Sequence, residues 1–213
     1  PMSTLTLHST PFSTYGRTCR MALHWKGVDY TLDPAAPQSP EQQERHPWGK
    51  VPAMTHTTAN GDIKLYETLA ICTYIDRAFD GRDLLPANAI ERGIAEQWIS
   101  VFQQYTYAPV VNIIVQRIFV PARDGTPDET VVKENMVTSA KALGVLDAAL
   151  ADGGYFGGGG LSLADFLVLP LVDYLPRIPE GEALLADVPN IRRWQGVMHG
   201  LSCARDTAPP AMG

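Results

Sequence analysis

Two short segments hold the residues whose types and spacing could do chemistry. One is His46-Pro47-Trp48-Gly49-Lys50-Val51-Pro52, and the other is Glu67-Thr68, which opens the apolar run Leu69, Ile71, Cys72, Ile75. A proline at a strand start fixes the backbone where a ligand could pair with it. A helix start carrying a hydroxyl leaves N–H groups and the positive end of the helix dipole facing outward, and both attract carboxylates. Together the two segments describe a site for a small, peptide-like anion, with Lys50 and Arg17 placed to add positive charge.

Those residues need elements to hold them. Between the two segments, 53–56 and 63–66 alternate as strands, and Asn60-Gly61 is a tight-hairpin signal. Upstream, 4–8 alternates as a strand and 14–26 has helical spacing, with Cys19, Ala22 and Leu23 on one face and Gly27 as its stop. Residues 28–32 form a second strand, which is enough chain for a parallel crossover. A short helix fits around 41–45, and a helix from Glu67 to about Phe79 follows the hairpin. The order βαβ-α-ββα is a small mixed sheet covered by helices. Residues 81–88 read as a linker, and 89–213 as an all-helical domain. Residues 89–120 form one long or broken helix with a kink at Pro109, 129–151 another, and 189–201 the last. Ser162-Leu163-Ala164-Asp165 is a capping box. The glycine-rich 153–160 reads as a flexible connection, since no Lys-Ser/Thr follows to make it a phosphate loop. The tail from Asp206 reads as loose.

Composition narrows the partners. The chain has 213 residues, 45% hydrophobic and 19% charged, with 17 basic against 23 acidic side chains and a net charge of −6. No Lys/Arg cluster is present, so nucleic acid is not an expected partner. Three cysteines, Cys19, Cys72 and Cys203, lack Cys-x-x-Cys spacing, which argues against a disulfide framework, a zinc site and a dithiol centre. Cys19 reads as a small core residue. The five histidines show no metal-ligand spacing. No apolar stretch is long enough for a membrane span and no signal-like segment precedes the first strand, so the cytoplasm is expected.

Across roughly Leu5 to Pro209 the chain resembles the cytosolic glutathione transferases, in particular the serine-type (phi- and theta-like), bacterial-style members. The residues carrying the resemblance are Ser13-x-x-x-Arg17, Trp48-Gly49-Lys50-Val51-Pro52 with Glu67-Thr68, Ser162-Leu163-Ala164-Asp165 and Pro189-Asn190-Ile191-x-x-Trp194. It implies a thioredoxin-like glutathione-binding domain over 1–80, an all-α domain contributing a hydrophobic substrate site, glutathione as cosubstrate without a metal, and a homodimer serving detoxification. It further implies that Val51, before a cis Pro52, pairs its backbone with the cysteinyl part of glutathione. Glu67 and Thr68 hold the γ-glutamyl end, and Lys50 lies near the glycyl end. Relatives with the Ser13 pattern place basic residues in the loop where this chain has Pro37-Gln38-Ser39-Pro40, leaving Gln38 as the polar group there.

In such an enzyme the thiol must become a thiolate. A free thiol titrates near roughly 8.5. Lowering it by about two units takes on the order of 3 kcal/mol, a plausible demand on one hydroxyl plus a helix N-terminus. Alignment with tyrosine-type enzymes puts Ser9 at the tyrosine position, which disfavours that class. Alignment with serine-type enzymes puts the catalytic hydroxyl at Ser13 and an arginine at Arg17. Tyr15 and Thr14 are alternates, with Thr10 a lesser one, and Ser13 also reads as a plain N-cap. Phe12, Tyr105, Tyr107, Ile113, Arg117 and Ile118 are expected to wall the electrophile site between the domains, although such residues on a long helix also suit core or dimer contacts. Thiolate attack on a hydrophobic electrophile is the expected reaction. Another glutathione-dependent enzyme (disulfide reductase, peroxidase, ether-cleaving lyase or isomerase) and a non-catalytic binding module are the alternatives.

Overall fold

The computed structural model describes residues 3–211. They divide into two compact units. The first runs through Leu84 and takes in the chain again from Gly200, and the second is Leu85–His199. The all-helical part expected over 89–213 therefore ends at His199, and the last stretch belongs to the first unit.

The first unit contains β1 (Thr4–Ser9), α1 (Thr14–Lys26), β2 (Thr31–Pro34), α2 (Pro40–Arg45), β3 (Ala53–Thr58), β4 (Gly61–Tyr66) and α3 (Thr68–Ala78). The sheet order is β2-β1-β3-β4, with β1 parallel to β2 and antiparallel to β3, and β3 antiparallel to β4. This is the mixed thioredoxin-like arrangement, with α1 packed against α3. The second strand starts later than expected at residue 28. Gly27 is left-handed at φ 73°, its N–H meets the His24 carbonyl, and the Val28 N–H closes on the Leu23 carbonyl at 2.9 Å. Val28 thus finishes the helix cap and pairing begins only at Thr31. Pro34 is tolerated because β2 lies at the sheet edge.

Gly16 sets how closely α1 lies on β1. A Cβ there would stand 2.0 Å from Ser9 Oγ and 3.0 Å from Ser9 Cβ. Ser9 itself is fully buried and donates to the Thr10 carbonyl. Cys19 on α1 and Cys72 on α3 meet at 3.9 Å between sulfurs, both fully buried. Burial and the neighbouring Cys72 sulfur hold the Cys19 thiol well above its ordinary range, so it is a core residue. A short helix, α10, covers Ser202–Asp206 after the second unit's helices and packs on α1; of the tail expected to be loose from Asp206, residues 208–211 carry no secondary structure and 212–213 lie outside the described residues. Arg17, 3% exposed, donates to the Ala204 carbonyl at 3.0 Å, and Thr207 is fully buried.

The second unit is helical: α4 (Ala89–Val101), α5 (Tyr107–Ile114), α6 (Glu129–Ala149), α7 (Leu163–Val172), α8 (Gly181–Leu185) and α9 (Pro189–His199). Every residue of α7 is buried, and α4, α5 and α9 pack around it. The expected kink at Pro109 is replaced by wide π turns at Phe102–Thr106 and Val115–Phe119. Each ends shortly before a proline, Pro109 or Pro121. The wider turn accommodates a ring that lacks an N–H and crowds the carbonyl of the turn before it. No helix among the described residues is long and apolar enough to cross a membrane.

The capping box at Ser162 and Asp165 is formed, and it reaches further than its own helix. Asp165 Oδ1 accepts from the Phe156 N–H at 3.1 Å and from Trp194 Nε1 at 2.9 Å, while Oδ2 accepts from the Ser162 N–H at 2.9 Å. Phe156 is 1% exposed, and a Cβ on Gly157 would sit 2.4 Å from the Gly160 carbonyl oxygen. The glycine-rich stretch is therefore a tight turn anchored to α7, not a free connection.

Two outcomes follow for stability. Gly16→Ala should lower unfolding free energy by about 1–3 kcal/mol in urea titration through overpacking, with Ser9→Ala returning part of it. Asp165→Asn should cost about 3 kcal/mol, because an amide hydrogen would then face N–H donors that now meet a carboxylate. Burial raises the Asp165 pKa to about 6 against the four hydrogen bonds that lower it. A raised folded-state pKa contributes stability below the unfolded value that is lost as pH rises through 6. The gap between the unmutated protein and Asp165→Asn should therefore widen as pH falls from 7 toward 4.

Candidate functional site

Register brings the expected site residues to one end of the sheet. Ala53 is paired with His8 on one side and Tyr66 on the other. The residues just outside these pairs are therefore neighbours across strands spaced about 4.8 Å apart: Ser9 and the turn to Ser13, then Pro52 and Val51, then Glu67 and Thr68. Both α1 and α3 begin at this end. Neither has an acidic residue in its first turn, whereas α4, α6 and α7 carry Glu91, Glu129 and Asp165 there. The N-terminus of α1 thus has no acidic side chain to answer its partial positive charge, while α3 starts at Glu67, whose carboxylate makes no cap bond.

Ser13 is the N-cap of α1, in extended conformation at φ −71° and ψ 124°. Its Oγ accepts from the Gly16 N–H at 3.0 Å. Accepting leaves the hydroxyl proton to donate, and a donor polarised by a backbone N–H is a stronger one. The other hydroxyls expected nearby are differently placed. Thr10 Oγ1 accepts from the Phe12 N–H at 3.3 Å in a local turn. Thr14 and Tyr15 are half-buried inside the first turn of α1, and Phe12 is half-buried next to Ser13.

Val51–Pro52 is a cis peptide bond, and Val51 lies one residue outside the ladder that starts at Ala53. The loop leading to it is held by α2 and its flanks. Ser39 caps α2, accepting from the Gln42 N–H. Gln38 donates from its N–H to the Gly49 carbonyl at 2.8 Å and from Nε2 to the Trp48 carbonyl at 2.9 Å. Gln42, fully buried, donates from Nε2 to the Lys50 carbonyl at 2.6 Å. Gly49, at φ 60°, is pressed against Gln38, so that a Cβ would meet Gln38 Oε1 at 2.8 Å. Gln38 thus holds the loop in place where a ligand contact was expected. The Lys50 side chain is exposed.

Glu67 is the N-cap of α3, yet it makes no side-chain cap bond, and its backbone sits at φ 71° and ψ 122°. That region strains any residue with a Cβ, and such outliers gather at functional sites. Its carboxylate is 65% exposed and lies 3.6 Å from His46 Nε2. Thr68, at the first position of α3, is 5% exposed. His46 was not singled out from the sequence, where a lone histidine before Pro47 carries no periodic signal. Gln42 was missed because a polar six-residue helix gives no hint that one of its glutamines is fully buried.

The second-unit residues expected to wall an electrophile site are dispersed. Tyr105 is 68% exposed, and the Tyr107 ring lies edge-on to Phe102 at 5.9 Å. Ile113 is fully buried in the core. Arg117 donates to Glu129 and Glu180 at 2.5 to 2.9 Å, fastening the second π turn to α6. These bonds to Glu129 and Glu180 push its pKa further above the arginine range. Ile113 and Arg117 thus serve packing and bracing. A surface cleft lined by Arg20, His24 and Tyr30 lies toward the other end of α1 and does not include Ser13.

The chain is similar to known proteins along most of its length. Residues 7–83 match the model of the glutathione S-transferase N-terminal domain, and residues 103–198 match that of the C-terminal domain. Glutathione S-transferase 1 of Zea mays is 34% identical over 199 residues, 91% of this chain and 90% of its own. Among solved structures, glutathione transferase F7 from Populus trichocarpa superimposes with a TM-score of 0.85 at 26% identity, covering 96% of this chain and 97% of its own. Glutathione S-transferase I from maize, in complex with an atrazine glutathione conjugate, gives 0.82 at 29% identity over 96% of each chain. The chain belongs to the glutathione S-transferase family.

Proposed function

We propose that this enzyme conjugates glutathione to hydrophobic electrophiles with the thiolate held by Ser13. The convergence of Ser13, Val51 and Glu67-Thr68 at one sheet end, where α1 and α3 both begin, supports this reading above all. Glutathione is the cosubstrate. Its cysteinyl backbone pairs with Val51, just outside the β3 ladder. Its γ-glutamyl carboxylate meets the start of α3 and the Thr68 hydroxyl, and its α-ammonium meets Glu67. The exposed Lys50 faces the glycyl carboxylate. The Ser13 hydroxyl donates to the sulfur as its proton leaves for solvent, and the α1 dipole stabilises the anion. Sulfur then attacks the electrophilic carbon, by substitution or by addition. Phe12, beside Ser13, suits an apolar second substrate.

The protein works as a homodimer on this reading. Trp48 is 63% exposed, in ring contact with His46 at 6.0 Å and Tyr66 at 6.5 Å, and an aromatic anchor of that kind suits a partner surface. A cytoplasmic setting accords with the three cysteines, all free and buried.

Ser13→Ala should keep the protein on a glutathione column. Ultraviolet titration of the bound thiolate should show its pKa rising by about two units, and kcat/KM toward a chloronitrobenzene should fall about 100-fold at neutral pH. The acid limb of the pH–rate profile should move up by the same amount, since deprotonation then needs a higher pH. Unchanged kinetics would remove Ser13 from this role. Trp48→Ala should raise the dimer dissociation constant about 30-fold or more in sedimentation, the size of an aromatic hot spot of about 2 kcal/mol.

A further inference from the structure

His46 touches both the loop that carries Val51 and the start of α3. It is 2% exposed, at the C-cap of α2, with its own N–H on the Gln42 carbonyl at 2.8 Å. Its Nδ1 accepts from the Trp48 N–H at 3.3 Å, within the loop that delivers Val51. An Nδ1 that accepts places a proton on Nε2. That Nε2 stands 3.6 Å from Glu67 Oε1. The ring is wedged between Tyr66, at 4.9 Å, and Trp48, at 6.0 Å between centroids, so its direction is set by packing. Glu67, by contrast, has an exposed carboxylate on a strained backbone and no cap bond to orient it.

We propose that His46 is a positioning residue for the γ-glutamyl end of glutathione: its Nε2–H turns the Glu67 carboxylate toward the substrate's α-ammonium while its Nδ1 holds the loop that presents Val51. This rests on the assignment of Glu67 to that ammonium. A separation of 3.6 Å is longer than a hydrogen bond, and rotation of an exposed carboxylate closes it. The arrangement then has a fixed donor, a steered carboxylate and a cationic ligand in series. A carboxylate held by a buried donor loses less rotamer freedom when the ammonium arrives. The reacting sulfur lies at Ser13, on another element, so the effect falls on binding and leaves the chemical step alone.

The test uses the full-length protein, glutathione and the desamino analogue glutaryl-cysteinyl-glycine. His46→Asn keeps an acceptor for the Trp48 N–H but cannot reach Glu67. His46→Gln extends an amide N–H to the Nε2 position. His46→Asn should weaken glutathione binding in calorimetry about tenfold and raise its KM in parallel, with kcat within about twofold. His46→Gln should restore most of that affinity. In a Glu67→Gln background His46→Asn should cost less than about twofold, and His46→Asn should not change affinity for the desamino analogue. Equal losses on both ligands, undiminished loss in the Glu67→Gln background, or no loss at all would overturn the proposal. If His46→Asn fails to fold, His46→Leu, which likewise has no donor for Glu67, reads the same coupling in the Glu67→Gln background. Should Glu67→Gln alone leave glutathione affinity unchanged, the assignment of Glu67 fails, and the steering role of His46 falls with it. A failure confined to the histidine variants leaves the Glu67 assignment standing.

Discussion

The double pairing of Ala53, with His8 on one side and Tyr66 on the other, is the constraint on which the site depends. Three chain segments far apart in sequence leave the sheet at that row, and each leaves carrying one part of the site. A slip of one residue would move Pro52 or Glu67 by about 3.3 Å and turn the strand's buried face outward. Leu5, Leu7 and Met54, nearly or fully buried, therefore enforce the geometry of a polar site. Gly16 adds the matching restraint on α1, because only a residue without a Cβ lets the Ser13 turn approach β1 so closely.

Charge placement follows from the same layout. The helices of the second unit that begin with Glu91, Glu129 and Asp165 have their dipoles answered within the chain. In the first unit α1 has no acidic residue in its first turn and α3 starts at Glu67, which makes no cap bond; on the proposed reading the thiolate and a carboxylate of glutathione meet these two ends. A protein of net charge −6 can thus receive a polyanionic ligand without a cluster of lysines. Backbone N–H groups carry the positive potential, and Lys50 is a supplement to it.

Much of this was legible in the residues. The Gly27 stop, the Asn60-Gly61 hairpin, the proline before β3 and the Ser162–Asp165 box each encode a local backbone geometry, and local geometry is what single residues specify best. What escaped reading depends on packing between distant positions. The π turns answer prolines that a sequence pattern places only as kinks. β2 starts late because Val28 completes the α1 cap. The glycine-rich stretch is anchored by a buried Phe156 and a carboxylate nine positions on. His46 owes its place to Tyr66, Trp48 and Glu67, none of which marks a lone histidine in the sequence as different from the other four.

The return of the final helix to the first unit changes what counts as a separable piece of this molecule. A gene fragment that stops at Leu84 would expose the flank of α1 that α10 covers, and would strip the buried Arg17 guanidinium of the Ala204 carbonyl. The thioredoxin-like half is closed by residues that follow the helical unit in sequence, so loss of α10 would damage the half that holds Ser13.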